Sequence, residues 1–397
     1  MIHTGSISPR RLTGVAAIAR RSLRQIVRRP IYWFGILGFP LFMMLFMTTI
    51  LAEGLPVKVP AGVIDHDGTA MSRELSQKLS TMQMVDVVRD CESFTSARDA
   101  MLRGEIFGYF LIPENFQADL LAGRSPEITF YTNGVYFVPA TMLFKAFKAT
   151  AIYEKAGVAM KVAADVGASS LDLAPIVVPV NISARPIGNP WMSYAIYLCV
   201  SFIPAALQLM ILLVTVFSLG EEIKRNTSVG LMQMARGSIV RALFGKLLPQ
   251  TLIWWAVALF MQSWLYGWNH YPMHCPWWHM ALSELMFVLA SQGFALTIFG
   301  ALPNLRMGLS VAALLGVLTF SLAAFSFPVE SMYPSLGIMS WLLPSRYNFL
   351  IHIDQALNGR ELFYSRVWYA AYIVFMIVPL ALLPRIKRAF MRPVYAP

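Results

Sequence analysis

Charge is scarce in this sequence. Charged residues make up 13% of it, about half of the roughly 25% usual for a soluble domain. Cysteine is scarcer still: Cys91, Cys199 and Cys275 are too few for a disulfide framework. A bridge between Cys91 and Cys275 would suit an oxidising compartment, and unpaired thiols are the simpler expectation. No G-x-x-x-x-G-K-[ST] run occurs, since the only Gly-Lys pair, Gly245–Lys246, is followed by Leu247 and opens an apolar run. The chain therefore lacks the phosphate cradle of a P-loop, and any nucleotide chemistry belongs to another polypeptide. No G-x-S-x-G motif and no His-rich helical pair accompanies the serines, so the constellation for nucleophilic hydrolysis is missing as well. There is no internal repeat and no low-complexity tract.

What is abundant is apolar: hydrophobic residues form 57% of the chain, and they are clustered. A membrane-spanning helix needs roughly 20 mostly apolar residues. Runs of that length place six spans at 31–51, 192–219, 247–268, 280–302, 308–327 and 367–384. The first, IYWFGILGFPLFMMLFMTTIL, contains Pro40, which membrane helices tolerate better than soluble ones. A cleaved signal peptide would have a short basic leader and an apolar run of about 7–15 residues. The leader of about 30 residues and the longer run here point to an uncleaved anchor. Phe39, Phe42, Met43, Met44, Phe46 and Met47 in this span fit lipid contact, or an adaptable wall for a greasy substrate.

The net charge of +11 sits at the edges of these runs. Arg10, Arg11, Arg20, Arg21, Arg24, Arg28 and Arg29 precede the first span. Lys224, Arg225, Arg236, Arg241 and Lys246 fall between the second and third, Arg306 between the fourth and fifth, and Arg385, Lys387, Arg388 and Arg392 after the sixth. In a six-span chain these segments share one side, while the loop 269–279 on the other side has no Lys or Arg. The positive-inside rule then puts both termini in the cytoplasm. The basic excess reads as topology and contact with membrane lipids, not as nucleic-acid binding.

Residues 9–29 set Leu12, Val15, Ile18, Ala19, Leu23, Ile26 and Val27 against arginines at helical spacing. This predicts an amphipathic helix on the cytoplasmic membrane surface, with Pro30 redirecting the chain. Residues 52–190 hold 15 of the 21 acidic residues and read as an inserted α/β domain outside the membrane. Strands are expected at VPAGVID, VDVVRD, IFGYFLIP and PEITFYT, alternating with helices at MSRELSQKLSTM (Ser72 as a cap, Glu74 near the first turn), SFTSARDAMLRGE and ENFQADLLAG. A long helix is expected over 138–166, and VVPVNISARP returns the chain to the bilayer. A partly parallel sheet follows from the alternation, while the strand order does not. Residues 328–366 carry only short apolar pieces such as LGIMSWLLP, which read as re-entrant or interfacial half-helices.

Four segments, in order, carry a resemblance to a known family: RSLRQIVRRP before the first span, with an Arg-x-Pro turn; GVIDHDGTAMSREL, close to a "V-D-x-D-x-S" pattern with Thr69 where Ser is commoner, continued by GYFLIPENFQADLLAGRSPEITFYTNG; GEEIKRNTSVGLMQMARGSIVRALFGKLLPQ, close to "E-x-E-R-G-T-L-E-x-L"; and FSFPVESMYP with Pro344, Tyr347 and Gly359. In the third, Glu222, Arg225 and Thr227 match, Asn226 replaces the usual Gly, Ala235 replaces a common Pro, and Gly245, Lys246 and Pro249 match again. One span, a large outer domain and five further spans in this style resemble the permease subunits of type 2 ABC exporters, in particular the bacterial drug-efflux subset with a large periplasmic domain. Essentially the whole chain is covered.

The resemblance implies the fold: an α-helical polytopic membrane protein of six transmembrane helices, with an inserted α/β periplasmic domain between helices 1 and 2. The parts would be a cytoplasmic interfacial helix over 1–30, a first span over 31–51, the outer domain over 52–190 and a five-helix transmembrane domain over 191–397. It also implies location in the bacterial inner membrane, ABC ATPase subunits that carry ATP and magnesium while this chain binds no cofactor, a second permease copy or paralogue, and a periplasmic adaptor (membrane-fusion protein). Residues 220–246 would be the ATPase-coupling loop, with Glu221, Glu222, Lys224, Arg225 and Thr227 presenting an orientable charged surface. Arg20, Arg21, Arg24, Arg28 and Arg29 would mark the interfacial helix, and Phe327, Pro328, Met332, Pro334, Pro344 and Tyr347 the outer-loop motif. Spans two and five would line a path for an amphipathic substrate entering from the inner leaflet.

Some candidates come from the residues alone. His270, His274, Cys275 and His279 share one outer loop and carry zinc or copper ligand types, yet their spacing is not that of a standard site, and an interfacial loop with Trp and His at headgroup level accounts for them. No metal is expected. Glu284, near the outer end of the fourth span, is an intramembrane acid suited to proton coupling or a cationic substrate, or to contact with interfacial water. Gln208, Gln250, Gln262 and Gln292 are placed to hydrogen-bond between helices. Two other functions stay open: an ion-coupled secondary transporter, which would show several intramembrane charges and two similar halves, and a receptor or assembly scaffold, which would need no cytoplasmic docking loop.

Overall fold

Among the described residues of the computed structural model, six helices are long and apolar enough to cross a membrane: Pro30–Ile50, Tyr194–Lys224, Ile239–Trp268, Trp277–Ala301, Leu305–Leu322 and Arg366–Met391. The structure describes residues 14–52, 58–82, 84–122, 124, 126–133, 138–148, 193–323, 325 and 329–394. By contacts the chain forms two compact units, one from its start to Ala52 joined with Pro186 onward, the other from Glu53 to Arg185.

In the helical unit, Val15–Arg28 forms the amphipathic helix, burying Ile18, Ser22 and Ile26 at four-residue intervals. Arg29 is extended, as a residue before proline tends to be, and Pro30 opens the first span. Phe34–Gly38 of that span is wound as a wider π turn just ahead of Pro40. The proline ring would clash with the carbonyl four residues earlier in a regular helix, and the extra width accommodates it.

The second span runs through Lys224, five residues past its expected end, so Glu221 and Glu222 occupy its last turns rather than a loop. It closes in a Schellman motif. Asn226 adopts the left-handed conformation (φ 54°) that its place in the family pattern implied, Thr227 N–H donates to the Glu222 carbonyl at 2.9 Å, and Asn226 N–H to that of Ile223 at 3.1 Å. The short helix Ser228–Met234 ends the same way, with Gly237 N–H on the Met232 carbonyl and left-handed Arg236 and Gly237. The third span then starts at Ile239, eight residues earlier than expected. Residues 220–246 are thus mostly helical, and Glu221, Glu222 and Lys246 within those helices are held in ion pairs.

Gln208 ties the second span to the fifth through Thr319 (3.1 Å) and accepts from the backbone of Ser345 (2.6 Å). Beyond the fifth span, two eight-residue helices, Pro334–Trp341 and Pro344–Ile351, lead into a π turn at His352–Leu357. Neither helix is long enough to cross a membrane. The last span is interrupted by a 3-10 segment, Val378–Leu382, around Pro379.

The inserted unit is a four-stranded sheet of order β2-β1-β3-β4, with β1 Val59–Asp65, β2 Val85–Asp90, β3 Gly108–Ile112 and β4 Thr129–Thr132. β1 pairs in parallel with β2 and β3, and β4 closes the sheet antiparallel to β3. Helices Ala70–Ser80 and Phe94–Leu102 make the crossovers. The first is capped by Thr69 and not by Ser72, because the helix begins three residues earlier than a Ser72 cap would place it. Ser72 instead donates to Asp65 at 2.6 Å. Asp65 also accepts from the backbones of Asp67 and Gly68, both at 3.0 Å. Asp65→Ala should therefore loosen this turn by about 2 kcal/mol, read as faster proteolysis of residues 58–133 in the full-length chain. Burial raises the Cys91 thiol above its usual pKa, so it is a poor nucleophile. All three cysteines are free and buried. Residues 138–148 are helical; the rest of the helix expected to 166, and the VVPVNISARP segment, lie outside the described residues.

Candidate functional site

Two polar clusters are buried in the helical unit. The first gathers three stretches of chain around Glu222. Its carboxylate accepts from Arg21 Nη2 at 2.7 Å, Lys246 Nζ at 2.7 Å, Thr227 Oγ1 at 2.5 Å and Gln25 Nε2 at 3.4 Å. Lys246 Nζ also donates to Gln25 Oε1 at 3.3 Å. Glu221 pairs with Arg29 and, at 2.9 Å, with Arg225. Glu222 and Lys246 are each only 2% exposed. Arg21 and Gln25 stand four residues apart, which lines them up on one helix face, and Arg29 follows in the extended link just past the helix. Ser22 on the same helix donates to the Lys246 carbonyl at 2.7 Å. The close approach depends on Gly245, where a Cβ would lie 2.9 Å from Ile18 Cβ and 3.0 Å from the Val15 carbonyl.

Within the orientable charged surface expected of Glu221, Glu222, Lys224 and Arg225, the two acids do not face outward. Both are buried, because the interfacial helix folds over them and supplies the counter-charges. The outward charges here are basic: Arg20, Arg24, Arg28, Lys224 and Arg225 are exposed. Between the interfacial helix and Ser228–Met234 lies a cavity of about 580 Å³, edged by Arg20, Arg21, Arg24, Asn226 and Thr227. Sequence reasoning missed Lys246 and Gln25 as members of the cluster. The available signal was a lysine immediately before LLPQ, at the start of an apolar run.

The second cluster surrounds Glu284, which is 1% exposed and out of reach of the interfacial water allowed for from its position. The reason is tertiary: helix Pro344–Ile351 and the turn after it cover it. Gln262 Nε2 donates to Glu284 Oε1 at 2.6 Å, and Asn348 Nδ2 at 3.2 Å. His352 Nδ1 lies 2.9 Å from the Asn348 carbonyl, and its Nε2 lies 2.8 Å from Gln262 Nε2. A carbonyl only accepts, so Nδ1 carries the ring proton and Nε2 accepts from the amide. His352 Nε2 is 3.6 Å from Glu284.

The other expected positions are distributed. Pro334 and Pro344 each open a half-helix, Met332 N–H donates to the Val329 carbonyl, and Tyr347 donates its hydroxyl to the Trp341 carbonyl at 2.7 Å. Phe327 and Pro328 lie outside the described residues. His274 packs over Gly359, His279 stands edge-on to Trp278, and among the described residues no group of three His, Cys, Asp or Glu side chains is placed to hold a metal ion. Of the four glutamines, Gln208, Gln262 and Gln292 bond between elements, while Gln250 Oε1 has no hydrogen-bond partner among the described residues.

Six apolar helices with an α/β insertion after the first define a polytopic membrane protein of transporter type. Residues 30–383 match the family described as ABC-2 family transporter protein, and the chain belongs to that family. Membership makes it the transport subunit of an ABC system and implies pairing with ABC ATPase subunits. Comparison with curated proteins returns no match.

Proposed function

We propose that this chain is the permease of an ATP-driven exporter in a bacterial inner membrane, with both termini cytoplasmic and the α/β domain periplasmic. It works as a dimer with itself or a paralogue, and it moves an amphipathic, drug-like substrate outward. ATP and magnesium sit on the partner ATPases. Docking involves the basic groove between the interfacial helix and Ser228–Met234, and the α/β domain receives a periplasmic adaptor. The observation that carries this reading is the Glu222 cluster. It binds the interfacial helix, the end of the second span and the start of the third into one body, so a push from an ATPase on that face is delivered to two spans together.

The test is co-purification followed by reconstitution. The solubilised protein should bring an ATPase with it, and Glu222→Gln should leave ATP hydrolysis measurable while lowering ATP-driven export at least about tenfold. Export that survives ATP depletion but collapses with the proton gradient would replace this reading with the ion-coupled one, to which the buried Glu284 would then belong. A chain that retrieves no ATPase and moves nothing would be a receptor or scaffold.

A further inference from the structure

Glu222 and Glu284 are both buried, and they are held in different ways. Both oxygens of Glu222 are engaged: Oε1 accepts from Lys246 and Gln25, and Oε2 from Arg21 and Thr227. Two of those four donors are cations. Glu284 receives both of its donors on a single oxygen, since Gln262 Nε2 and Asn348 Nδ2 converge on Oε1. No described residue donates to Oε2, and among the described residues neither Lys nor Arg pairs with this carboxyl. Its basic neighbour is His352, which gives its ring proton to the Asn348 carbonyl and accepts from Gln262 at Nε2, so the imidazole brings no charge. An ionised carboxyl has two equivalent oxygens with about four lone-pair sites between them, and it draws donors to both. A carboxylic acid has one carbonyl oxygen, which accepts two hydrogen bonds, and one hydroxyl. Two donors on Oε1 and none on Oε2 is the pattern of the acid.

The surroundings of Glu284 agree with that pattern. It borders a cavity of about 10 Å³ between the second, third and fourth spans, room for a single water to take the hydrogen bond of a hydroxyl. Apart from Glu284 and Gln262 the lining is apolar, with Ile203, Leu207, Met261 and Leu265 among the walls, so a metal ion would lack its shell of oxygen ligands. The titratable groups that face Glu284 among the described residues are Tyr266 on the third span, His352, and Tyr369 and Tyr372 on the sixth. Phenols are neutral at physiological pH, and the second span offers only apolar side chains to the cavity. A bare charge there would be costly.

We propose that Glu284 is a proton-binding site, which carries a proton on Oε2 while the helix Pro344–Ile351 covers it and releases that proton to water when the cover lifts. Asn348 belongs to the covering helix. Lifting it removes one of the two donors and admits water, in which a carboxyl ionises at neutral pH. Closing the cover therefore takes up one proton. Raising the pH favours the open position, by up to about tenfold in the opening equilibrium per pH unit. Proton binding is measured on the isolated chain without ATP or an ion gradient, so it can fail while the export reading stands, and the reverse.

Infrared spectra of the full-length protein at neutral pH, in nanodiscs of ether-linked lipids that have no ester carbonyl, should contain the carbonyl band of a protonated carboxyl. Glu284→Gln should remove that band. Hydrogen exchange of residues 344–357, each rate divided by that of an unprotected amide at the same pH, should quicken with pH in the unaltered chain by up to about tenfold per unit. It should stay flat in Glu284→Gln, whose side-chain carbonyl accepts from the same two amides and never ionises. The absence of a carboxyl band in the unaltered chain would overturn the proposal. So would a band that survives the substitution, or exchange in the unaltered chain that ignores pH. The first and last of these outcomes are read on the unaltered chain and do not depend on how the variant folds.

Discussion

Glu222→Gln is expected to destabilise the helical unit by about 3–5 kcal/mol, the usual result of removing one partner from a buried ion pair. Glu222 is the acid nearest Lys246, which is itself buried to the same degree, and it also neutralises Arg21. Replacing it leaves a buried ammonium with only an amide and the more distant Glu221 for compensation. Lys246→Met should cost less, since Arg21 still faces Glu222. Combining the two should recover part of the loss, because burying two well-packed neutral groups is often no worse than burying an ion pair. The measurement is a double-mutant cycle on thermal unfolding in nanodiscs. Strictly additive costs would show that the contact between Glu222 and Lys246 does not matter energetically. The same cycle separates a stability defect from a coupling defect in the export assay.

Gly293→Leu should be the most damaging single substitution in the membrane core, at about 3 kcal/mol or more. A Cβ at Gly293 would sit 2.3 Å from the Phe375 carbonyl and 3.0 Å from its carbon, both backbone atoms of the sixth span that no rotamer change can move aside. Small residues that let membrane helices touch backbone to backbone are what holds such pairs together, since the hydrophobic effect gives no drive between helices already in lipid. One turn on, Thr297 donates to the Gly293 carbonyl, and Gly300 packs on Leu382, so the small stripe continues. The variant should lose detergent stability and show greater protease access near 370–383. A normal melting profile for Gly293→Leu would mean the fourth and sixth spans are not in this contact.

How much of this was legible beforehand follows a physical line. Length and hydropathy gave the spans, with eight of their twelve ends within a turn, and Ile18 and Ile26 were readable as part of one helix face. Asn226 was legible too, because few residues accept a left-handed backbone. The Glu222 cluster was not. Its partner Arg21 lies 201 positions away, and a glutamate beside lysine and arginine at a membrane edge looks the same whether it faces water or a folded-back helix. Glu284 was identified as an intramembrane acid, but its environment depends on Asn348 and His352 from a segment legible only as short apolar pieces. Where both partners share a helix, sequence spacing is informative; where packing brings them together, it is silent.

Arg29 joins the interfacial helix to the first span, and it leaves little room for movement. Proline fixes its own φ, so the swing of one helix against the other is confined to the two backbone torsions of Arg29 and the ψ of Pro30. The side chain of that same residue is tied to Glu221 on the second span. The pivot and the latch are therefore one amino acid. The junction has few free angles, and its one large lever is clamped to a neighbouring rod, so a turn of the interfacial helix must either carry the second span along or first break that clamp.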